Sequence, residues 1–233
     1  MTKLTLNQVE EFNAKVISRN LRGGTLLKYK QKLKLTQEQK DIIIGTLLGD
    51  SSIRNRKCNY CLKFEQKYTQ LEYLNHLYKI FEPFVGTGPK MRIIKNNFHK
   101  EYGVSCWFRT YAHPCFTFYA NLFYQVDSNN KRKKSIPQNI HKFLTPQALA
   151  YWYMDDGSLT ISNNSYTLNT QGFKESDQRI LIKALKRNFN LDFNIQKDRT
   201  YYRLGLRKTS NTDFYELVKP YILSSFEYKL IDK

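Results

Sequence analysis

Two stretches of the chain carry no charge until their last residues: Ile42-Ile43-Ile44-Gly45-Thr46-Leu47-Leu48-Gly49-Asp50 and Leu149-Ala150-Tyr151-Trp152-Tyr153-Met154-Asp155-Asp156-Gly157. Each predicts a helix buried on most sides that delivers a carboxylate where burial ends. Thr36 followed three residues later by Gln39 forms a capping box for the first helix, and Thr145 before Pro146 opens the second. Gly45 and Gly49 fall one turn apart on one face, where another backbone can approach closely. The two helices are expected to pair, with their aspartates side by side.

The pattern downstream of each aspartate repeats. After Asp50, Ser52 to Arg56 leads through a turn into Tyr60–Lys67, which alternates with Leu62 and Phe64 on one face and Lys63 and Glu65 on the other. After Asp156, Leu159 to Ile161 leads through Ser162-Asn163-Asn164-Ser165 into Tyr166–Gln171; setting Tyr60 on Tyr166 puts Leu62 on Leu168 and Glu65 on Gln171. Helices follow over 71–85 and 177–191, then hairpins over 91–95 with 103–109 and 193–197 with 202–207, then helices over 118–124 and 214–221. Each half reads αββαββα and closes on a lysine at a matched place, Lys134 and Lys229. The expected fold is α+β, two pseudo-twofold repeats at 36–140 (with a linker) and 141–233. Each repeat has an antiparallel sheet, apolar towards its helices and, on the other face, polar and rich in Arg and Lys. Residues 1–35 are a basic appendage, with Val9, Phe12 and Val16 at helical spacing and a lysine-rich run over 28–34. It reads equally as a surface arm or as a clamp on a nucleic-acid backbone.

Charge sharpens this. Among 233 residues, 38 Lys and Arg against 20 acids give a net charge of +18, which calls for a polyanionic partner, DNA or RNA before a membrane. The 15% aromatic content, including 17 tyrosines, excludes a disordered polybasic tail. Neither a membrane span nor a leader is apparent, and a load of Lys, Asn, Ile, Tyr and Phe suits an A/T-rich, organellar genome. Cys58, Cys61, Cys106 and Cys115 read as free thiols in a reducing, intracellular setting, with no zinc, because the Cys58–Cys61 spacing lies in an extended stretch whose side chains diverge. The polar sheet faces, with Lys63, Glu65, Arg109, Arg203 and Arg207, fit a ribbon in the DNA major groove. Paired aspartates require a cation, and Mg2+, held by few carboxylates and open to phosphate, suits them. Lys134 and Lys229 add positive charge there, while Glu65 and Gln171 are placed to orient water.

The two charge-free motifs, with Leu168-Asn169-Thr170-Gln171, Lys134-Ser135-Ile136-Pro137, Lys219-Pro220-Tyr221 and Tyr228-Lys229-Leu230, resemble the LAGLIDADG homing endonucleases over about residues 36 to 230. The resemblance implies a monomer whose motif helices form the lobe interface and whose two sheets make a saddle over a long double-stranded DNA target. It implies cleavage across the minor groove, short 3′ overhangs, intron mobility and a mitochondrial setting. Asp50 and Asp156 are then the metal-binding acids, beside Gly49 and Asp155, with two or three Mg2+ or Mn2+ ions at the lobe interface. The expected DNA-binding residues are Arg54, Arg56, Lys63, Arg92, Lys95, Arg109, Asn169, Lys197, Arg203 and Arg207. Tyr151 and Asp155 depart from the small residues of the pattern, which implies asymmetric helix packing. Two alternatives use the same basic surface: an intron RNA maturase and a non-cleaving DNA-binding protein.

Overall fold

The computed structural model describes residues 4–56, 58–95, 102–127, 129–160 and 164–230; the side chains of Lys95 and Tyr102 lie outside the described residues, as do Ile161 to Asn163 of the expected turn. In chain order the elements are α1 (Leu6–Ala14), α2 (Gly23–Gln31), α3 (Gln37–Leu48), β1 (Ser52–Arg56), β2 (Asn59–Lys67), α4 (Leu71–Phe81), β3 (Lys90–Lys95), β4 (Tyr102–Arg109) and α5 (Thr117–Phe123). These are followed by β5 (Tyr124–Val126), β6 (Arg132–Lys134), α6 (Pro146–Asp156), β7 (Gly157–Thr160), β8 (Ser165–Leu168), α7 (Glu175–Phe189), β9 (Phe193–Asp198), β10 (Tyr201–Leu206) and α8 (Asn211–Val218). Both expected αββαββα series are present. Their sheets share one antiparallel topology, β1-β2-β4-β3 and β7-β8-β10-β9.

The chain divides into two compact units, one of residues 1–35 and 50–117, the other of 36–49 and 118–233. In the first, alternation along β2 and β4 turns Leu62, Phe64 and Phe108 inward, where Phe64 meets Phe108 at 4.9 Å and Phe81 of α4 at 5.0 Å between ring centroids. Helix α4 stops at Phe81, short of the expected 85, and Pro83 carries the chain into a single 3-10 turn. The N-terminal segment is docked on this unit. Asn13 clasps the backbone of edge strand β3, its Nδ2 donating to the Met91 carbonyl at 3.0 Å and its Oδ1 accepting from the Met91 amide at 2.8 Å. The Tyr29 hydroxyl donates to the Pro83 carbonyl at 2.8 Å.

The second unit holds both motif helices. Helix α3 starts on its capping box, with Thr36 Oγ1 accepting from the Gln39 amide at 3.1 Å, and α6 starts with Thr145 Oγ1 accepting from the Ala148 amide at 3.1 Å. Behind α6, the rings of Tyr153, Tyr166 and Phe214 lie 4.8 to 5.8 Å apart. The β5–β6 hairpin replaces part of the expected linker; Asp127 Oδ1 accepts from the amides of Asn129 and Lys131, a side-chain-mimicked turn.

The repeats are not in strict register. Ile53 pairs with Leu62 in the first hairpin, whereas Gly157 pairs with Leu168, the residue matched to Leu62, in the second. The shift is two residues, which keeps every side chain on its face because the strand period is two. Strand β2 also continues through Glu65 to Lys67, while β8 ends at Leu168. There the Asn169 amide donates to the Asp156 carbonyl at 2.9 Å as the last rung in register with β7, and a turn follows in which the Phe173 amide donates to the Thr170 carbonyl at 3.0 Å. Glu65 therefore lies in a strand and Gln171 in a turn, so the two do not occupy equivalent places.

Candidate active site

The charge-free runs dictate how α3 and α6 meet. Ile42 to Leu48 and Ala148 to Met154 are all buried. A Cβ added at Gly45 would lie 2.3 Å from the Ala148 carbonyl oxygen and 2.9 Å from the Tyr151 Cβ; one added at Gly49 would lie 2.5 Å from the Asp155 Cβ. The glycines of α3 thus face the larger residues of α6, and one glycine per crossing point suffices for close approach. The asymmetry expected from Tyr151 and Asp155 is present, and it is complementary.

This packing brings the C-terminal end of α3 against that of α6. Helix C-termini carry partial negative charge and unpaired carbonyls, and each end here receives a lysine. Lys134, placed by β6, donates from Nζ to the Gly49 carbonyl at 3.1 Å. Lys229, in the 3-10 segment Ser224–Lys229, donates from Nζ to the Met154 carbonyl at 2.8 Å. The Tyr153 hydroxyl fixes that segment by donating to the Lys229 carbonyl at 2.6 Å, and burial pushes its phenol far above the ordinary tyrosine range. Tyr153 was not legible as a site residue, since its place in an apolar run signals only packing.

Asp155 and Asp156 close α6, both half-buried; Asp50 follows Gly49 in the chain and is exposed. The Asn169 side chain lies 3.4 Å from the Ser158 hydroxyl, and its backbone anchors Asp156. Among the described residues no group of three or more His, Cys, Asp or Glu side chains forms a metal cage. Carboxylates and carbonyl oxygens at helix ends form a hard donor set, which fits Mg2+ or Mn2+ completed by water and phosphate oxygens and does not suit a thiolate-seeking metal.

The other expected polar residues fall in three groups. On the outer face of β1-β2-β4-β3, strand pairing gathers Arg54, Arg56, Lys63, Arg92 and Arg109, with Lys67 and Lys90, which sequence reading missed although Lys90 precedes Arg92 by one strand period. Several of these line a cavity of about 280 Å3 with Trp107, whose ring lies 5.6 Å from Lys63 Nζ and 5.9 Å from the Arg109 guanidinium carbon. Glu65 lies on this face too, ion-paired with Lys63 and Arg92 and accepting from the Ser105 hydroxyl at 2.7 Å. Burial works to raise its pKa, but the hydrogen bonds of Lys63 and Ser105 and the charges of Lys63 and Arg92 together hold it below the ordinary range.

The outer face of β7-β8-β10-β9 is different. It presents Ser158, Thr160, Thr167, Asn194 and Gln196, with Arg203 and Asp198. The expectation of a second Arg- and Lys-rich face is therefore not met. Arg207 is exposed just past β10, and Gln171 Nε2 donates to Asp198 Oδ2 at 2.9 Å. Lys197 pairs with Tyr202 and shares its strand parity with Phe193 and Ile195, the opposite face from Gln196. Its exposure comes from its place at the sheet's end.

The chain is thus an α+β protein with a buried pair of helices, each running out into an acid and taking a lysine on its terminal carbonyls, and with one strongly cationic sheet face, the charge pattern of a protein that meets nucleic acid. The chain belongs to the LAGLIDADG DNA endonuclease family, whose model matches residues 40–214. It is 33% identical over 212 residues to the DNA endonuclease I-ChuI of Chlamydomonas applanata, covering 86% of this chain and 97% of that protein. It is 28% identical over 197 residues to the cytochrome b mRNA maturase bI2 of Saccharomyces cerevisiae, covering 81% of this chain and 46% of that protein. Its fold matches the homing endonuclease I-WcaI bound to its DNA recognition sequence, with a TM-score of 0.81 and 30% identity over 91% of this chain and 94% of that one.

Proposed function

We propose that the chain is a monomeric, organellar homing endonuclease that hydrolyses both strands of a long double-stranded DNA target with Mg2+ or Mn2+. It leaves short 3′ overhangs and promotes movement of its host intron. The observation that carries this reading is the pair of motif-helix ends, each closed by an acid and each with a lysine on its last carbonyls. Asp50 and Asp156, with the Gly49 carbonyl and Asp155 beside them, are the residues that hold metal. A divalent ion held by these residues would supply Lewis-acid chemistry for phosphodiester hydrolysis.

The rest of the work belongs to the chain itself. The ammonium groups of Lys134 and Lys229 are fixed by helix carbonyls before DNA arrives, so they meet developing phosphate charge without reorganising. The cationic face of the first sheet neutralises phosphates and presents donors to base edges. Glu65 and Gln171 act through the partners that hold them, Lys63 and Arg92 for the first and Asp198 for the second. The similarity to I-ChuI and to a DNA-bound homing endonuclease supports duplex DNA as the partner.

The similarity to a maturase favours intron RNA binding as a second reading. One experiment separates them: incubate the protein and Mg2+ with a randomised or organellar DNA library and sequence the ends produced. Discrete cuts with short 3′ extensions, lost in EDTA and in Asp50→Asn, establish the endonuclease. Absence of cuts with tight binding to a structured intron RNA moves the maturase reading ahead.

A further inference from the structure

The two sheets have one topology and opposite surface chemistry. On the first, the outward groups donate hydrogen bonds and almost none accept them. The single acid, Glu65, has its oxygens engaged by Lys63, Arg92 and Ser105. Arg92 is held at one edge, with Nε donating to Ser105 Oγ at 3.2 Å and Nη2 paired with Glu65, and its side chain is 51% exposed. A guanidinium tied along one edge and open along the other is already oriented for a two-point contact. On the second sheet, Gln196 lies across Gly205, where an added Cβ would come within 2.0 Å of the Gln196 Nε2. The missing side chain at Gly205 makes room for that amide on the sheet face, beside Asn194 and Thr167. An amide both donates and accepts.

We propose that the two sheets read opposite base chemistry. The first reads guanine edges through Arg92, with Glu65 as its positioning residue, and the second reads adenine through Gln196 seated over Gly205. Guanine shows two adjacent acceptors in the major groove, which match a guanidinium; adenine shows an acceptor beside a donor, which match a carboxamide. The target then has a guanine-bearing half under the first sheet and an adenine-bearing half under the second, where Arg203 adds one donor. The inference rests on the endonuclease reading, because it presupposes duplex DNA on both sheets.

The test is selection of randomised duplex DNA by binding in EDTA, followed by sequencing, for wild type, Arg92→Ala, Glu65→Gln and Gln196→Ala, with thermal melts confirming that each is folded. Expected are guanine positions whose preference falls about ten-fold in both Arg92→Ala and Glu65→Gln. Separate adenine positions should fall by a similar factor in Gln196→Ala only. The parallel response of Glu65→Gln, with a smaller loss in total affinity than in preference, marks positioning. Adenine or thymine at the Arg92-sensitive positions, guanine at the Gln196-sensitive ones, or an unchanged motif in folded variants overturns the inference. Binding by the wild type with no sequence preference overturns the endonuclease reading itself.

Discussion

The two repeats keep the same topology and the same ending, yet nearly every surface between those features differs. Helix α3 offers Gly45 and Gly49 where α6 offers Tyr151 and Asp155. The first hairpin is slid two residues relative to the second, and one sheet face is cationic where the other carries hydroxyls and amides. What both repeats retain is a helix that stops on an acid, with a lysine bound to its terminal carbonyls. A twofold-like reaction needs equivalent charge at two points; it does not need equivalent recognition. A target with unlike halves is the natural consequence of unlike faces.

The strongest way to break this equivalence is to remove one acid at a time. Asp50→Asn and Asp156→Asn are each expected to reduce double-strand cleavage by about 10³-fold or more while leaving binding in EDTA largely intact. Plasmid linearisation against gel-shift affinity checks both, and wild-type turnover in either variant sinks the assignment. The lysines test the same equivalence more finely. Lys134→Ala and Lys229→Ala should each slow cutting about 100-fold, with nicks accumulating in opposite strands. Nicks in the same strand would show that the two lysines are not counterparts.

Much of this was legible because a charge-free run ending in Asp is a strong signal when it occurs twice at matched spacing. The helix pair, both sheets and the two lysines followed from periodicity and register. What escaped depends on single hydrogen bonds that leave no period in the sequence. Asn13 clasping Met91 fixes where the expected appendage packs. The turn closed by the Phe173 amide on the Thr170 carbonyl takes the chain out of the sheet after Asn169 and separates Gln171 from its match with Glu65. Lys197 is among the expected DNA-binding residues, yet the β9–β10 register puts it in phase with Phe193 and Ile195.

The glycines sharpen the comparison of the two helices through stability. Gly45→Ala pushes a Cβ against the backbone carbonyl of Ala148, which cannot move aside, so a loss of about 1–3 kcal/mol is expected from overpacking. At Gly49 the three atoms nearest an added Cβ all belong to the Asp155 side chain. Asp155→Gly should therefore rescue Gly49→Ala, with a coupling of about 1 kcal/mol in a double-mutant cycle, and should not rescue Gly45→Ala. Urea unfolding of the four proteins of that cycle, together with Gly45→Ala and Gly45→Ala/Asp155→Gly, checks this. Equal rescue of both glycine variants would mean that the helices adjust as rigid bodies and that the crossing points are not independent.

The smallest effect separates the repeats by their thiols, since all four cysteines lie in the first. Burial pushes the Cys106 thiol up to about 11 and that of Cys115 to about 12, whereas Cys58 is exposed. Because the thiolate is the nucleophile, brief alkylation of the native protein at pH 8 should modify Cys58 and leave Cys106 and Cys115 intact, as read by peptide mapping. The sign of the linkage follows from the same shifts. A folded pKa raised above the ordinary 9.0 means that the folded state holds its protons more tightly, so these thiols favour folding fully below about pH 9. That contribution is lost as pH rises towards 11 and 12. Protection of Cys106 and Cys115 should therefore fail first at alkaline pH, while amide protection in α6 and α7 of the other unit persists. Simultaneous loss of both would show that the two units unfold as one.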